Sequence, residues 1–500
     1  MMESDTRMVH LEHTKKLRVL YLASEAEPFV KIGGLGDVAG SLPHALASIT
    51  QDKIQGYQLE VRVVIPYHSA VRKKINQPIF EMGFEIPYRN STIPAQAFRA
   101  EINHIPAYLI SGEPIPYDGP VYSQDSHLDS EKYIFFSLAA LEFANRSNWI
   151  PDIIHANDWH TAIAVYALKG QTDCARFFTS SSSVLCIHNL PYMGSDCRSI
   201  LRDYHLCSLQ DDDLPDWAQR VPLPLGIATA DHIATVSPTY AREILTPEYG
   251  CGLDSYLVKK ADKITGILNG INYDDWNPQT DLEIFQNYSL ETLDLRQKNK
   301  QNLLEKLNLP YKPDVPLLIM VTRMDYQKGI DIAIDALREI IDADWQVVFL
   351  GSGDPNLENQ CRSLEGQFPS RVRASIRYDA VLARRMYSSG DILMMPSRYE
   401  PCGLSQMIAM RYGCVPIATA TGGLFDTIID HENPIHSTGF LAHRKTPPTY
   451  AQTLHKAILL YQLQPQIWRT IQKNAMLQDF SWEKSALTYA NLYFKLRGLT

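Results

Sequence analysis

Runs of apolar, β-branched residues alternate with helical patterns along the whole chain, and this alternation limits the fold more than any other feature. The run LRVLYLAS at 17–24 precedes a glycine turn and a helical pattern, and DIIHAN at 152–157 leads into another helix. In the second half, PLLIMVTR at 316–323 precedes apolar residues at helical spacing from Ile330 to Ile341. Such alternation predicts parallel sheets with crossover helices, and two sets of it predict two doubly wound α/β domains.

The sequence also predicts where these domains begin and end. We expect an N-terminal Rossmann-like domain at 1–268, a C-terminal Rossmann-like domain at 269–480, and a last helix at 481–500 that packs back toward the first domain. Three runs between 84 and 111 predict antiparallel strands. Because ligands of open α/β sheets bind at the carboxyl ends of the strands, we expect the site in a cleft between the domains.

Composition excludes several classes of function. The net charge of −9 predicts no general attraction to nucleic acid or to an anionic membrane. The eight cysteines are scattered without a CxxC pair, which is typical of a reducing compartment and predicts neither a disulfide framework nor a zinc knuckle. The polar N-terminus lacks a signal-peptide pattern or transit peptide, and no apolar run reaches membrane-spanning length, so the sequence predicts a cytoplasmic protein.

The stretch 397–426, SRYEPCGLSQMIAMRYGCVPIATATGGLFD, carries the strongest functional signal. It places Glu400 before a turn and a short helix, then a strand and a second turn at Gly422 and Gly423. Two strand-to-helix turns in tandem predict a cradle of backbone N–H groups for phosphate or a sugar diphosphate. Glu400 beside it is suited to hold a polyol, although it might equally cap the helix, so the stretch indicates a sugar-nucleotide enzyme.

A glycine loop, KIGGLGD, follows the first predicted strand. Gly33 and Gly34 permit positive φ and close approach of the backbone to a ligand, and Lys31 can offset a phosphate charge. A tight turn with a surface lysine is the simpler alternative. The position directly after the first strand favours the ligand-binding interpretation.

Two cations flank the turn TRMDYQKG between a strong strand and a strong helix. Arg323 offers a planar fork for phosphate oxygens, and Lys328 offers a point charge. A solvated turn also accommodates Arg and Lys. The pair at a helix entrance favours a diphosphate site.

Polar residues end two further strands. Asp158 lies between His155 and His160 in HANDWH, where it fits either a polar cleft position or a helix N-cap; the two histidines need not converge, so we predict no metal. His188 and Asn189 end the strand SSVLCIHN, where a sugar contact competes with a structural hydrogen bond.

Tyr378 and Cys402 have less specific surroundings. Tyr378 ends the run ASIRY and suits either stacking on a base or packing at the rim of the core. Cys402 has no histidine near it in sequence, so we interpret it as a packing or backbone contact rather than a nucleophile.

Taken in order along the chain, these motifs resemble those of bacterial glycogen synthases and plant starch synthases. The matching segments are KIGGLGDV, HANDWH, IHNLPYMG, ATVSPTYAREI, GILNGINYDDWNP, TRMDYQKG, GSGDP, SRYEPCGLSQ and TGGLFDT. The resemblance implies a GT-B fold, in which two Rossmann-like domains face a central cleft. It also implies transfer of glucose from ADP-glucose, a substrate rather than a cofactor, to an α-1,4-glucan or maltooligosaccharide with retention at the anomeric carbon.

The resemblance assigns roles to the residues that match its motifs. Arg323 and Lys328 hold the phosphates, Glu400 contacts the glucose hydroxyls, and His188 and Asp158 line the glucose pocket. Further contacts to the nucleotide sugar are implied for Lys31, Gly33, Gly34, Asn189, Tyr378, Cys402, Gly403, Leu404 and Ser405. No metal and no cofactor are implied.

The chain departs from the family pattern at several places. Thr419 replaces an arginine before TGGL, Asn272 replaces an aspartate, the segment 221–231 lacks a lysine, and the segment around 122–136 lacks a glycine and an Arg-Phe pair. Two alternatives therefore stay open: a GT-B glucosyltransferase with UDP-glucose or another acceptor, and a glucan-binding or regulatory homologue with weak turnover.

Overall fold

The structure is a computed structural model that describes residues 15–75, 78–169, 176–432 and 435–499. Contacts divide the chain into two units. The first contains residues up to Ile187, Pro191–Ile233 and Glu483 onward, and the second contains His188–Leu190 and Ala234–Trp482. The domain limits predicted from the sequence stay a prediction. Cys174 lies outside the described residues.

The first sheet follows the order β3-β4-β5-β2-β1-β6-β7-β8-β9. Its strands are β1 (Lys15–Leu22), β2 (Tyr57–Pro66), β3 (Ile79–Tyr88), β4 (Ser91–Ile102), β5 (Ile105–Gly112), β6 (Ile153–Asn157), β7 (Ser182–Ile187), β8 (His232–Thr235) and β9 (Ile264–Gly266). Strands β5, β2, β1, β6 and β7 pair in parallel. Strands β3, β4 and β5 pair antiparallel, which confirms the prediction for this region.

Helices separate these strands. They are α1 (Gly34–Ala47), α2 (Ser69–Lys74), α3 (Ser126–Arg146), α4 (Trp159–Ala167), α5 (Arg198–Asp203), α6 (Pro222–Thr229), α7 (Pro238–Glu243) and α8 (Asp254–Lys259). The long helix α3 begins where the Asp125 carboxylate accepts the N–H groups of His127 and Leu128, at 2.9 and 3.3 Å. Its aromatic residues Phe135 and Phe136 are fully buried in the core of the first unit.

The second sheet follows the order β12-β11-β10-β13-β14-β15, and all of its pairs are parallel. Its strands are β10 (Leu317–Val321), β11 (Gln346–Gly351), β12 (Val372–Ile376), β13 (Ile392–Met395), β14 (Val415–Thr419) and β15 (Phe440–Ala442). The central strands are buried on both faces, as expected for a parallel sheet covered by helices.

The helices of the second half are α9 (Arg296–Lys306), α10 (Ile330–Glu339), α11 (Pro355–Gln367), α12 (Ala380–Ser389), α13 (Ser405–Arg411), α14 (Gly422–Thr427), α15 (Pro447–Leu463), α16 (Pro465–Met476) and α17 (Trp482–Leu496). Helix α10 shows the predicted spacing, and Ile330, Ile334 and Leu337 lie fully buried in the core of the second unit. The residues of α17 from Glu483 onward group with the first unit, where the Tyr493 hydroxyl lies 2.6 Å from His155 Nδ1.

In each sheet the strand order reverses at the first strand, β1 in the first sheet and β10 in the second. In the first sheet the chain proceeds from β1 to β2 on one side and returns to β6 on the other. In the second sheet the reversal falls between β10 and β13. Loops that diverge at such a point leave a crevice at the carboxyl ends of the strands. Within the described residues, no helix is long and apolar enough to cross a bilayer.

Candidate functional site

The reversal point of the second sheet brings Lys328 and Glu400 together. Lys328 follows β10 and Glu400 follows β13, and Lys328 Nζ lies 2.9 and 2.7 Å from the two oxygens of Glu400. The Ser397 hydroxyl donates to the same carboxylate at 3.0 Å. The side chains are only 18% and 5% exposed. The ion pair and the hydrogen bond from Ser397 offset the cost of burying these two charges. Lys328 and Glu400 can therefore both remain charged within the crevice.

Arg323 lies on the same loop but at its solvent-exposed edge. Its guanidinium is 3.3 Å from Asp325, and its side chain is 58% exposed. The Asp325 carboxylate also accepts the N–H of Lys328 at 3.1 Å and thereby caps the 3-10 helix Tyr326–Lys328. Two cations therefore lie on one short loop, and Arg323 is the more exposed of them.

A second ion pair fastens this loop to the segment that carries Glu400. Arg398 donates to both oxygens of Asp331, at 2.9 and 2.6 Å, and to the carbonyl of Tyr326 at 2.8 Å. Its guanidinium also stacks on the Tyr326 ring at 3.7 Å. A bidentate arginine fixes orientation as well as distance, so the two sides of the crevice keep a set spacing.

The turn after Glu400 exposes backbone donors. Gly403 has φ +73°, and α13 begins two residues later. In the part of the chain that the structure describes, no acceptor pairs with the N–H groups of Gly403, Leu404 and Ser405. Cys402 is buried, and burial raises the pKa of its thiol to about 12, so the thiol stays protonated and is not a nucleophile at neutral pH.

The second glycine turn is used differently from the prediction. The N–H of Gly422 donates to the Glu243 carboxylate at 3.0 Å, and the N–H of Gly423 donates to the carbonyl of Glu400 at 3.0 Å. The prediction of an open two-turn phosphate cradle is therefore wrong for this turn, because side-chain and backbone oxygens of the protein already occupy its donors. The turn instead supports the backbone of Glu400.

The glycine loop of the first unit is also occupied by carboxylates of the chain itself. The buried Glu25 carboxylate accepts the N–H groups of Ile32 and Gly33. Lys31 Nζ lies 2.5 Å from Asp37 and 3.3 Å from Glu27. Burial raises the pKa of Glu25, and it raises that of Asp37 to about 6. An added Cβ at Gly34 would meet nothing within 4 Å, so the start of α1 is open.

The HANDWH segment separates its polar residues. Asp158 precedes α4 with φ +55° and ψ −172°, a backbone region that is nearly restricted to glycine, and its side chain makes no capping hydrogen bond. His155 is buried against Tyr493 and Tyr21, whereas His160 packs on Trp159 and Tyr133. Among the described residues no group of three or more His, Cys, Asp or Glu side chains could hold a metal ion.

His188 lies just beyond β7 and groups with the second unit. Burial lowers the pKa of its imidazole to about 4, so the ring is neutral at neutral pH. A neutral imidazole can donate one hydrogen bond to a hydroxyl and accept another without adding charge. Asn189 follows it, and the N–H of Leu190 donates to the Tyr240 hydroxyl at 2.9 Å.

Tyr378 lies two residues beyond β12 and is 84% exposed. The predicted strand run ASIRY therefore ends earlier than expected, at Ile376. Packing at the rim of the core is excluded by this exposure, because the ring has little protein surface against it. The exposed ring remains suited to stacking.

The departures from the family pattern have local structural replacements. The Thr419 hydroxyl donates to the carbonyl of Ser397, and Asn272 accepts the N–H of Asp274 as an aspartate would. Lys132, in the segment that lacks the Arg-Phe pair, is buried, lies 2.6 Å from Asp129 and donates to the carbonyl of Val121 at 2.8 Å. The local structure is thus completed by other residues at these places.

Sequence reasoning missed the supports of the site: Glu25, Glu243, Arg398 and Asp331. Glu243 belongs to the segment ATVSPTYAREI, which was notable only through the resemblance. Its partners Thr421 and Gly422 are 178 and 179 residues away. No local pattern signals such a pairing, so the sequence offered no route to these supports.

Two α/β sheets, the first mixed and the second parallel, are typical of glycosyltransferases of the GT-B class, and the lysine–glutamate pair lies at the reversal point of the second sheet. The model of the starch synthase catalytic domain matches residues 18–259, and that of the glycosyl transferases group 1 matches residues 301–473. A glycogen synthase of Streptococcus pneumoniae is 37% identical over 486 residues, covering 96% of this chain and all of the relative.

Solved structures agree with these matches. The catalytic domain of starch synthase IV from Arabidopsis thaliana, bound to ADP and acarbose, has a TM-score of 0.84 and 30% identity, and the match covers 97% of this chain and all of that one. Sucrose-phosphate synthase from Thermosynechococcus elongatus, at 20% identity, a TM-score of 0.59 and similar coverage, shares the fold. The chain belongs to the glycogen and starch synthase family. The predicted family, GT-B fold and glycogen synthase type of glycosyltransferase activity are confirmed.

Proposed function

We propose that this enzyme transfers glucose from ADP-glucose to the 4-hydroxyl at the non-reducing end of an α-1,4-glucan, with retention at the anomeric carbon. The observation that carries the proposal is the buried Lys328–Glu400 pair at the reversal point of the second sheet, in a chain similar over almost its full length to glycogen synthases. The relative solved with ADP supports an adenine nucleotide as the leaving group.

The chemistry follows from where charge develops. The bond between the anomeric carbon and the diphosphate oxygen breaks, so positive charge grows on the sugar and negative charge on the departing ADP. Lys328 and Arg323 stabilise that negative charge. The bond from the acceptor oxygen to the anomeric carbon forms on the same face of the sugar, and the acceptor proton passes to the leaving diphosphate.

Glu400 and His188 orient the sugar in this proposal. Glu400 can accept hydrogen bonds from two hydroxyls of the hexose while Lys328 keeps its carboxylate neutralised. The neutral imidazole of His188 fits a hydroxyl donor or acceptor. Cys402, Gly403, Leu404 and Ser405 offer backbone groups beside them, and Asn189 follows His188 in the chain.

The remaining residues are proposed to contact the donor. Tyr378 stacks on the base, where its exposed ring is accessible. Lys31, Gly33 and Gly34 contact the sugar diphosphate, and Asp158 contacts the glucose. No metal enters the proposed reaction. The cytoplasmic location stays a prediction.

The experiment compares two donors with the purified full chain. Radiolabelled ADP-glucose or UDP-glucose is supplied with glycogen or maltooligosaccharide, and label in polymer is counted. We expect incorporation from ADP-glucose and its loss, by roughly 100-fold or more, in Glu400→Ala and Lys328→Ala.

A matched control and the opposing outcomes keep the assay decisive. Asp335→Ala removes an exposed carboxylate on α10 whose partner is Arg338, and it should incorporate label as the parent does. Preference for UDP-glucose would overturn the proposed donor. Glucan binding without incorporation from either donor would favour the regulatory alternative.

A further inference from the structure

The short helix α7 contacts both segments that carry proposed sugar-binding residues of the second unit. It belongs to the segment VSPTYAREI, for which the proposed reaction has no use. Tyr240 contacts Leu190, which directly follows His188 and Asn189. Ser237, the N-cap of α7, contacts Pro401 after Glu400, and Glu243 contacts the glycine turn at Gly422. None of the three side chains is assigned a contact with substrate.

The backbone of Glu400 is held at two successive carbonyls. The Ser237 hydroxyl donates to the carbonyl of Pro401 at 2.6 Å, while its oxygen accepts the N–H of Tyr240 and so begins the helix. The carbonyl of Glu400 accepts the N–H of Gly423 at 3.0 Å. A peptide fixed on both sides leaves its side chain little freedom to move.

Glu243 holds the glycine turn that seats this peptide. Its carboxylate accepts from the Thr421 hydroxyl at 2.8 Å and from the N–H of Gly422 at 3.0 Å. A Cβ at Gly422 would lie 2.0 Å from the carbonyl oxygen of Glu400, and the residue has φ +45°. The turn therefore approaches Glu400 as closely as a backbone can, and Glu243 keeps it there.

The two helices also secure each other. The carboxylate of Asp426, on α14, accepts the N–H and the hydroxyl of Thr239, both at 2.7 Å. Glu243, on α7, in turn accepts the N–H of Gly422 at the start of α14. Each helix thus places a carboxylate at the N-terminus of the other, where the positive end of the helix dipole favours it.

The fourth contact reaches the other segment. The buried Tyr240 hydroxyl accepts the N–H of Leu190 at 2.9 Å. A buried backbone donor without a partner is costly, so Tyr240 determines where this N–H lies. The residues just before it, His188 and Asn189, are positioned through the same short piece of chain.

We infer that α7 is the positioning element of the active site, which sets the segment His188–Leu190 and the turn of Glu400 in one register through Tyr240, Ser237 and Glu243. The inference rests on the proposed function only in the roles of His188 and Glu400. Glu243 acts through Glu400 and is a positioning residue.

The test is a double-mutant cycle between Glu243 and Glu400 in the full-length enzyme. Glu243→Ala should lower kcat by roughly 10- to 100-fold, since small displacements of reacting groups have effects of this size. In the Glu400→Gln background the same change should lower kcat by less than about twofold, because the group it positions is already altered. Equal losses in both backgrounds would overturn the inference.

Matched variants separate position from charge and stability. Glu243→Gln keeps an oxygen that can accept from Thr421 and Gly422, so it should retain most of the parent kcat. Glu243→Asp keeps the charge but is shorter by one methylene, so its kcat should fall as in Glu243→Ala. Glu248→Ala removes an exposed carboxylate nearby and should change nothing. A melting temperature that falls in proportion to kcat across the series would assign Glu243 a purely structural role.

Hydrogen exchange gives a readout that needs no turnover. Glu243→Ala should speed amide exchange at Gly422 and Gly423, whose N–H groups donate to Glu243 and to the carbonyl of Glu400. Tyr240→Phe should do so at Leu190, while Glu248→Ala leaves all three unchanged. Unchanged exchange in both variants contradicts the inference. Absence of incorporation by the parent enzyme, with these exchange changes present, would instead refute the proposed function and leave the positioning supported.

Discussion

The two sheets reverse their strand order in the same way, yet their lysine loops are built differently. After β1, Lys31 pairs with Glu27 and Asp37, which are four residues before it and six after it. After β10, Lys328 pairs with Glu400, 72 residues further along the chain. The first lysine is satisfied within its own loop, whereas the second receives its partner from across the reversal point.

The charges around the two lysines also differ. Lys31 and the backbone N–H groups beside it face three carboxylates, those of Glu25, Glu27 and Asp37. On the other loop, two cations face two carboxylates, with Arg323 beside Asp325 and Lys328 beside Glu400. An incoming diphosphate competes with more negative charge at the first loop than at the second. The comparison therefore favours the second loop as the main phosphate-binding loop.

Glycine substitutions should produce the largest difference between the loops. Gly329 has φ +67°, and a Cβ there would lie 2.1 Å from the carbonyl oxygen of Pro396. Gly34, at the corresponding helix start of the first unit, has nothing within 4 Å. We expect Gly329→Ala to lower the free energy of unfolding by about 3 kcal/mol or more, and Gly34→Ala to change it by less than about 1 kcal/mol.

Thermal melting of both variants measures this difference. If Gly34→Ala melts like the parent but loses activity, Gly34 is needed for close approach of a ligand, which would sharpen the role proposed for it. Equal melting temperatures for the two variants would contradict the difference in backbone packing.

The lysines themselves should give the next largest effect. Lys328→Ala leaves the 5% exposed Glu400 carboxylate without its cation, which we expect to lower the free energy of unfolding by about 2–3 kcal/mol, toward the low end for buried pairs because Lys328 is partly exposed. Lys31→Ala removes more exposed pairs, for which about 0–1 kcal/mol is usual.

Denaturant melts of the two variants provide the measurement. The variant Lys328→Ala, Glu400→Gln serves as control, because removing the carboxylate charge should recover part of the loss. A loss at Lys31 as large as that at Lys328 would break the distinction between a local and a long-range partner.

Sequence patterns predicted the elements that carry these loops. Strand β10 and helix α10 follow from an apolar run and a 3.6-residue period, and both are present with ends shifted by no more than a few residues. Lys328 and Glu400 come together because their loops follow neighbouring strands of the sheet, β10 and β13. The order of strands in the sheet thus brings together loops that are far apart in the sequence.

The partners of polar side chains were not predictable in this way. His155 lies within β6, in a segment that suggests function, yet it is buried against Tyr493, 338 residues away. Gly422 resembled an open phosphate turn, but Glu243 occupies its N–H. Which acceptor meets a given donor depends on the packing of distant elements, and neither composition nor periodicity records it.

A smaller effect should appear in the pH dependence of stability that arises from the first loop. Burial raises the pKa of Asp37 to about 6 from an ordinary value near 4. The folded protein then holds this proton more tightly than the unfolded chain, so the contribution is present below about pH 4 and is lost as the pH rises through about 6.

The variant Asp37→Asn has no titratable carboxyl at this position, so it lacks this contribution to the pH dependence. The parent should lose more thermal stability than the variant between pH 4 and pH 6.5, and Asp335→Asn, an exposed carboxylate of the second unit, should behave as the parent does. Parallel melting curves for parent and Asp37→Asn across this range would place the Asp37 pKa near its ordinary value, and Asp37 would then be charged over most of the pH range tested.

The smallest effect on stability is expected from Arg323→Ala, which isolates the ligand-binding part of the comparison. The guanidinium is 58% exposed and lies 3.3 Å from the carboxylate of Asp325 on its own loop, so the free energy of unfolding should change by less than about 0.5 kcal/mol. The same group is proposed to bind the departing diphosphate, and a hydrogen bond to a charged group contributes about 1.5–3 kcal/mol. We therefore expect kcat/KM for ADP-glucose to fall by roughly 10- to 100-fold.

Steady-state kinetics at low and high salt measures this change in kcat/KM, with Arg338→Ala as the exposed control. An unchanged kcat/KM would mean that Arg323 does not bind the diphosphate. The first loop, with Lys31, would then again be a candidate for the phosphate-binding site.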